Sequence, residues 1–545
     1  MKSIISFFII LTILSACRSR KSDLEEVIRN ISVNDLENYV KELGSDRFMG
    51  RKPFTEGETI TVNYLADQLR LIGFEPAFDG SYFQKVPLAE ISSTVSEIAI
   101  AKSSKILLKL RTPDDAAIIS PVLSNNITIN EIDIVFAGFG IVAPEYGWND
   151  YAGLDVKGKT VVVMVNDPGL YTSDITLFKG REMTYYGRWT YKYEEAARQG
   201  AAGVLIIHET TGAGYPYTIP RKSSLSPRLY LNDTTKNEPL CSFTGWLTSD
   251  AARKLFSINN LNVDSLRLAA CNKGYRGFPL NLSITLEIKN DVRFSESSNV
   301  AGMIRGSAKP RECIVYTAHW DHFGIGEKED GDSIYNGAVD NGTAMAWELA
   351  IGKAFSALRR KPARSIILLF PTAEEQGLIG SFYYTEHPVI PVENIVACIN
   401  NDGMLPLGKM KDVTITGFGQ SNLDSLVGKI ADTQNRYVIG DPESHTGMYF
   451  RSDHYSFAAK GIPSLYAKGS TESREHGIEW TAGKRSSYIE NRYHRPSDNY
   501  YPGEFNFEGI AEDAVLSFIV GYELAISDFY PEWRSGSEFK QLRNR

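Results

Sequence analysis

The chain has 545 residues, 43% hydrophobic and 23% charged, the balance of a folded protein with a sizeable core and too long for one ordinary domain. Its 58 Lys and Arg against 66 Asp and Glu give a formal charge of −8. No long basic run occurs, which argues against nucleic acid as the main partner.

The N-terminus reads as a targeting segment. Lys2 precedes an apolar run, Ile4 to Leu14, broken only by Ser6 and Thr12, and then comes Leu14-Ser15-Ala16-Cys17. The run is shorter than the ~20 residues a membrane-spanning helix needs. Leu-Ser-Ala-Cys at this place resembles the bacterial lipoprotein lipobox. The resemblance implies removal of residues 1–16, a lipid on the Cys17 thiol, a tether over residues 17–30, and a protein held at the cell envelope, facing the periplasm or the cell surface. An ordinary secretory signal is the alternative. Of the other cysteines, Cys313 and Cys398 lie in apolar runs and read as buried thiols. Cys241 and Cys271 are either a disulfide of an exported protein or two free thiols. With no CxxC, a cysteine metal site is not expected.

In chain order, Asp35, Leu36, Tyr39, Val40 and Leu43 repeat at helical spacing, and Gly44 stops the helix. Asp46 to Arg51 is a turn. Glu56 to Leu71 is a second helix, with Ile60, Tyr64, Leu65 and Leu69 on one stripe. Phe83 to Leu88 and Glu97 to Leu110 read as strands. From about residue 130 the pattern becomes strand (Ile132–Ala137), strand (Val161–Val165), helix (Tyr191–Gln199), strand (Val204–His208). Thr210 to Asn237 reads as loop, Ala251 to Phe256 as a helix, Leu280 to Ile288 as a strand. His208, alone at a strand end, reads as structural. From Asn299 strands and helices alternate: strands at Val300–Ile304, Cys313–Thr317, Ser365–Phe370, Val396–Ile399, Val413–Thr416 and Ser464–Tyr466, helices at Gly342–Leu358, Leu423–Asp432 and Phe507–Asp528. This predicts an α/β fold with a mixed, largely parallel sheet flanked by helices.

The polar residues with chemistry sit where such folds place their sites, at strand ends. His319 and Asp321 follow the strand Cys313–Thr317. Asp340 lies in Val-Asp-Asn-Gly just before a helix. Glu374 and Glu375 follow the strand ending at Phe370, Asp402 follows the strand ending at Ile399, and His494 lies in a late loop. Imidazoles with several carboxylates are the ligand types of hydrolytic zinc.

These segments, in this order, resemble the M28 family of zinc exopeptidases over about residues 30–125 and 290–530. The resemblance implies two zinc ions: His319 and Asp402 on one, Glu375 and His494 on the other, Asp340 bridging. It makes Glu374 the general base, Asp321 the partner that orients His319, and Tyr493 a hydrogen-bond donor to the developing oxyanion. It also implies a non-proline cis peptide at Asp340–Asn341. His454 matches a pocket position, and Arg451 is a candidate for the basic group that a carboxypeptidase would use for a substrate carboxylate. His322 is expected in the pocket or in a structural role.

The phrases Gly140 to Trp148 and Met183 to Tyr193 resemble the protease-associated domain. The implied division is catalytic domain over residues 31–129 and 286–545, with that smaller α/β domain inserted over 130–285. The expected function is removal of N-terminal residues from peptides. Carboxypeptidase, glutaminyl-cyclase-like acyltransferase and binding protein on a degenerate peptidase fold are the alternatives; the last two predict missing ligands.

Overall fold

The structure, a computed structural model, describes residues 23–172, 174–233 and 239–543. They divide into two compact units. The first holds the chain up to Val86, Glu296–Asp441 and the chain from Arg451; the second holds Pro87–Ser295 and Pro442–Phe450. Cys17 and the predicted signal segment lie outside the described residues. The expected tether is in part helix: residues 23–28 are helical, and Val27 is buried in the first unit's core.

The sheet of the first unit runs Glu75–Pro76, 300–304, Arg364–Phe370, Lys309–Thr317, Ile395–Asn400, Ser464–Lys468, Asp412–Thr416, Tyr437–Gly440. The four central strands, from Arg364–Phe370 to Ser464–Lys468, pair parallel. Every residue of Arg364–Phe370 is buried. That is the signature of a strand covered on both faces. Side chains alternate between faces along a strand. Accordingly Ile366, Leu368 and Phe370 enter one core, with the helices Val33–Leu43, Glu56–Leu71, Ala344–Ser356, Leu423–Thr433 and Glu508–Ile526. Ile367 and Leu369 enter another, with Tyr384 and Phe457. The helix Val33–Leu43 is capped by Ser32, which accepts the Asp35 N–H at 3.0 Å, and ends at Gly44.

Among the elements of this unit that were not expected are a hairpin and a late helix. The stretch between His322 and Asp340, to which the sequence pattern assigned no element, forms the hairpin Gly324–Glu329/Asp332–Tyr335. The stretch after Lys468 contains the helix Gly477–Asn491, in which only Thr481 is buried. With so little apolar face, its periodicity carries no signal.

The second unit pairs 278–289 with Asn126–Phe136, and then Thr160–Met164, Gly203–Ile207 and Phe243–Leu247 follow in parallel. It begins at Pro87, not near residue 130. Its extra strands Ile98–Lys102 and Ala116–Ile119 pair with 283–285 and with Phe243–Leu247, which binds them to this unit. The predicted loop from Thr210 holds the helices Thr210–Ala213 and Thr218–Leu225 and the strand Arg228–Leu231. His208 is structural, its Nε2 3.1 Å from the Tyr215 carbonyl and its ring against Trp246. Cys241 and Cys271 are free, so the disulfide alternative falls.

Candidate metal centre

Three adjacent parallel strands, Arg364–Phe370, Lys309–Thr317 and Ile395–Asn400, end on one edge of the sheet. His319 and Asp321, Glu374 and Glu375, and Asp402 follow these three ends. Asp340 sits in the turn Ala338–Thr343 that opens the helix Ala344–Ser356, and the Asp340–Asn341 peptide is cis, as the family resemblance implies. His494, in the left-handed region at φ 58, follows the helix Gly477–Asn491.

These side chains converge on Asp340. His319 Nε2 lies 3.5 Å from Asp340 Oδ1, 3.3 Å from Asp402 Oδ1 and 3.7 Å from Glu374 Oε2. His494 Nε2 lies 3.2 Å from Asp340 Oδ2 and 3.3 Å from Glu375 Oε2. Asp340 therefore turns one oxygen to each imidazole. Zinc ~2.0–2.1 Å from four tetrahedral ligands sets neighbouring ligand atoms about 3.3 Å apart. The spacings here suit the edges of two such tetrahedra that share Asp340. Four carboxylates beside two imidazoles are a donor set that can give up its protons to a divalent cation. The donor set fits zinc.

His319, Glu374 and Asp402 also form one close donor group, and His322, Asp340 and Glu375 another. His322 is better read as a partner of a ligand. Its Nδ1 is 2.7 Å from Glu375 Oε1, an ordinary hydrogen-bond length. Burial holds the His322 ring neutral, near pKa 3. His319 behaves oppositely: burial would lower its pKa, but Glu374 and Asp402 raise it well above the usual imidazole value. Burial pushes the Glu374 carboxyl well above its ordinary range, with His319 opposing.

The remaining predicted residues are placed as follows. Asp321 is buried beside His319, but its carboxylate oxygen is 3.8 Å from Nδ1, too far to bond. It accepts the Glu374 and Glu375 backbone N–H groups instead, at 2.9 and 3.4 Å. Tyr493 stacks on His494, ring centroids 3.7 Å apart, and is 43% exposed. Arg451 is near enough for its charge to act on the Tyr493 phenol. His454 is wholly buried, its ring 5.2 Å from that of Tyr466, so it meets the site through Tyr466 and not as pocket surface.

Sequence reasoning missed the support of Asp402. Tyr466 and Lys468 both donate to the Asp402 carbonyl, and Lys468 reaches the Gly403 carbonyl at 3.2 Å. Burial lowers the Lys468 ammonium to about 8. A polar residue ending the strand that neighbours Ile395–Asn400 was the available signal.

Residues 299–516 match peptidase family M28. The chain is 35% identical over 155 residues to Aminopeptidase NAALADL1 of Mus musculus, covering 28% of this chain and 19% of that protein. It is 28% identical over 134 residues to Carboxypeptidase Q of Homo sapiens, covering 23% of this chain and 26% of that one. The match spans about a fifth of the mouse relative's length. The aminopeptidase from Aneurinibacillus sp. strain AM-1 shares the fold at TM-score 0.50 and 18% identity, covering 93% of this chain and 98% of that one. The family match, residues 299–516, takes in the strand-end cluster of imidazoles and carboxylates from His319 to His494 and is a similarity over that stretch.

Proposed function

We propose that this chain is a two-zinc exopeptidase that removes N-terminal residues from peptides, with Glu374 as general base. The observation that carries this reading is Asp340, whose two oxygens face two separate imidazole–carboxylate pairs. His319 and Asp402 would hold one zinc, Glu375 and His494 the other, and Asp340 both. Zinc in this set supplies positive charge that polarises a peptide carbonyl and acidifies water. Glu374 takes the proton of the attacking water and returns it to the leaving amine. Burial, by raising its proton affinity, suits it to both transfers. Asp321 holds the Glu374–Glu375 backbone in place. The Tyr493 hydroxyl donates to the oxygen that gains charge.

The complete ligand set and base argue against the cyclase-like and binding-protein readings. Carboxypeptidase action is the second reading, with Arg451, whose charge acts on the Tyr493 phenol, as the group for a substrate carboxylate. The second unit is read as a protease-associated domain, since Gly140–Trp148 and Met183–Tyr193 lie within it. A lipid on Cys17 and a place at the cell envelope complete the proposal; no helix among the described residues is long and apolar enough to cross a membrane. The test is one short peptide, with free or blocked N-terminus, given to zinc-loaded protein. Loss of the first residue from the free form alone supports the proposal. Loss of the last residue from both forms replaces it with a carboxypeptidase, and no cleavage of either rejects both.

A further inference from the structure

The loop that carries Asp340 is held by two buried ions of opposite charge, neither of them a metal ligand. Arg51 is fully buried, and its guanidinium donates only to backbone carbonyls. Nε reaches Trp320 at 2.9 Å, Nη1 reaches Leu43 at 2.8 Å and also Asn336, and Nη2 reaches Gly337 at 2.9 Å and Asp340 at 3.4 Å. All five guanidinium donors are thereby used. The approach is close. Gly337 has φ 56, and a Cβ there would lie 2.7 Å from Arg51 Nη2 and 2.1 Å from the Asp340 carbonyl oxygen. Arg51 itself sits at φ 50, after Gly50 at φ 67, so the turn aims the side chain inward.

Asp498 supplies the other half. Its Oδ1 accepts the Val339 N–H at 3.1 Å, its Oδ2 the Asp340 N–H at 3.0 Å, and its carbonyl the Ala338 N–H at 2.9 Å. The cation thus takes carbonyls of the 336–340 loop and the anion takes its N–H groups. Arg51 also grips Trp320, between His319 and Asp321, and Asp498 lies four residues beyond His494. Two side chains therefore tie together the segments of three ligands.

We propose that Arg51 and Asp498 are positioning residues of the metal centre, fixing the 336–340 backbone and hence the direction of both Asp340 oxygens. The inference rests on the two-zinc reading above. Arg51 also brings a positive charge to a site crowded with carboxylates. A purely architectural pair would lower the stability of the metal-free protein and leave the zinc affinity of folded molecules alone. A positioning pair lowers that affinity.

The experiment compares the full chain with Arg51→Met, Arg51→Lys, Asp498→Asn and the double variant Arg51→Met/Asp498→Asn. Zinc affinity is measured by competition with a chromophoric chelator, stoichiometry by elemental analysis, and metal-free melting by circular dichroism. Arg51→Met and Asp498→Asn are each expected to weaken zinc binding ~10–100-fold in folded protein. Arg51→Lys should recover part of the loss, since an ammonium can still donate to some of these carbonyls but lacks the planar fork. The double variant should lose less than the product of the single losses, because both act on one loop. Zinc affinity within twofold of wild type in Asp498→Asn and Arg51→Lys overturns the proposal, whether or not Arg51→Met folds. A wild-type chain that binds no zinc overturns the two-zinc reading and this inference with it, an outcome distinct from variants that match a zinc-binding wild type.

Discussion

Asp321 meets His319 through its backbone, with its carbonyl oxygen 3.1 Å from Nδ1 while its carboxylate stands at 3.8 Å. The carbonyl fixes the imidazole so that Nε2 faces Asp340 and Asp402. The carboxylate is left to hold the backbone of Glu374 and Glu375. One residue thus sets the histidine with its main chain and the two glutamates with its side chain.

Asp321→Asn should therefore leave the His319 contact intact and disturb the glutamates. An amide presents one oxygen to two N–H donors and turns its own NH2 against the other. Turnover should fall ~10–100-fold, the range seen when an outer partner of a metal ligand is lost. Steady-state kinetics with zinc content measured in parallel checks this, and turnover within twofold of wild type would remove Asp321 from the site's architecture.

Glu374→Gln should keep bound zinc and cut turnover ~100-fold or more, because the amide cannot carry the proton. Near-normal turnover in the metal-loaded variant would sink the general-base assignment.

Chelation should lower the melting temperature of the wild type. A ligand that binds only the folded state at ~100 times its Kd adds ~2.7 kcal/mol of stability. Differential scanning calorimetry with and without chelator should show a shift of several degrees, and re-addition of zinc should reverse it. Superimposable scans would count against a resident metal.

The second unit contains a separate buried charge cluster. Lys192, Asp150 and Asp167 are all buried, and the Lys192 ammonium donates to the Tyr186 carbonyl at 2.6 Å. Burial lowers Lys192 to about 7, and the facing Asp167 and Asp150 oppose that. Burial likewise raises each acid to about 7. Lys192→Met leaves two buried acids without their counter-charge and should cost ~3–5 kcal/mol of stability. Denaturant melts that show a loss below ~1 kcal/mol would mean that the acids are held neutral by burial alone.

The first unit was legible because its strands are continuous apolar runs and its polar residues stand at their ends. His319, Asp340, Glu375, Asp402 and His494 come together in space. The helix Gly477–Asn491 and the hairpin Gly324–Tyr335 were not legible, since neither buries an apolar stripe long enough to leave a period. The start of the second unit at Pro87 was hidden for another reason. The strands that join it early in the chain find their partners more than 100 residues later, and pairing at that distance leaves no local pattern.

The sequence by itself determined the fold class and offered the candidate donors, because burial writes periodicity into the strands and chemistry restricts which residue types can hold a metal. Only the tertiary structure decided which atom of each residue is used. It turned the Asp321 carboxylate away from His319, withdrew His454 behind Tyr466, and left Cys241 and Cys271 unpaired. It also brought Arg51 and Asp498, 447 positions apart in the numbering, to opposite edges of one five-residue loop. Hydrogen-bond direction and through-space distance decide these matters, and neither is a property of neighbouring letters.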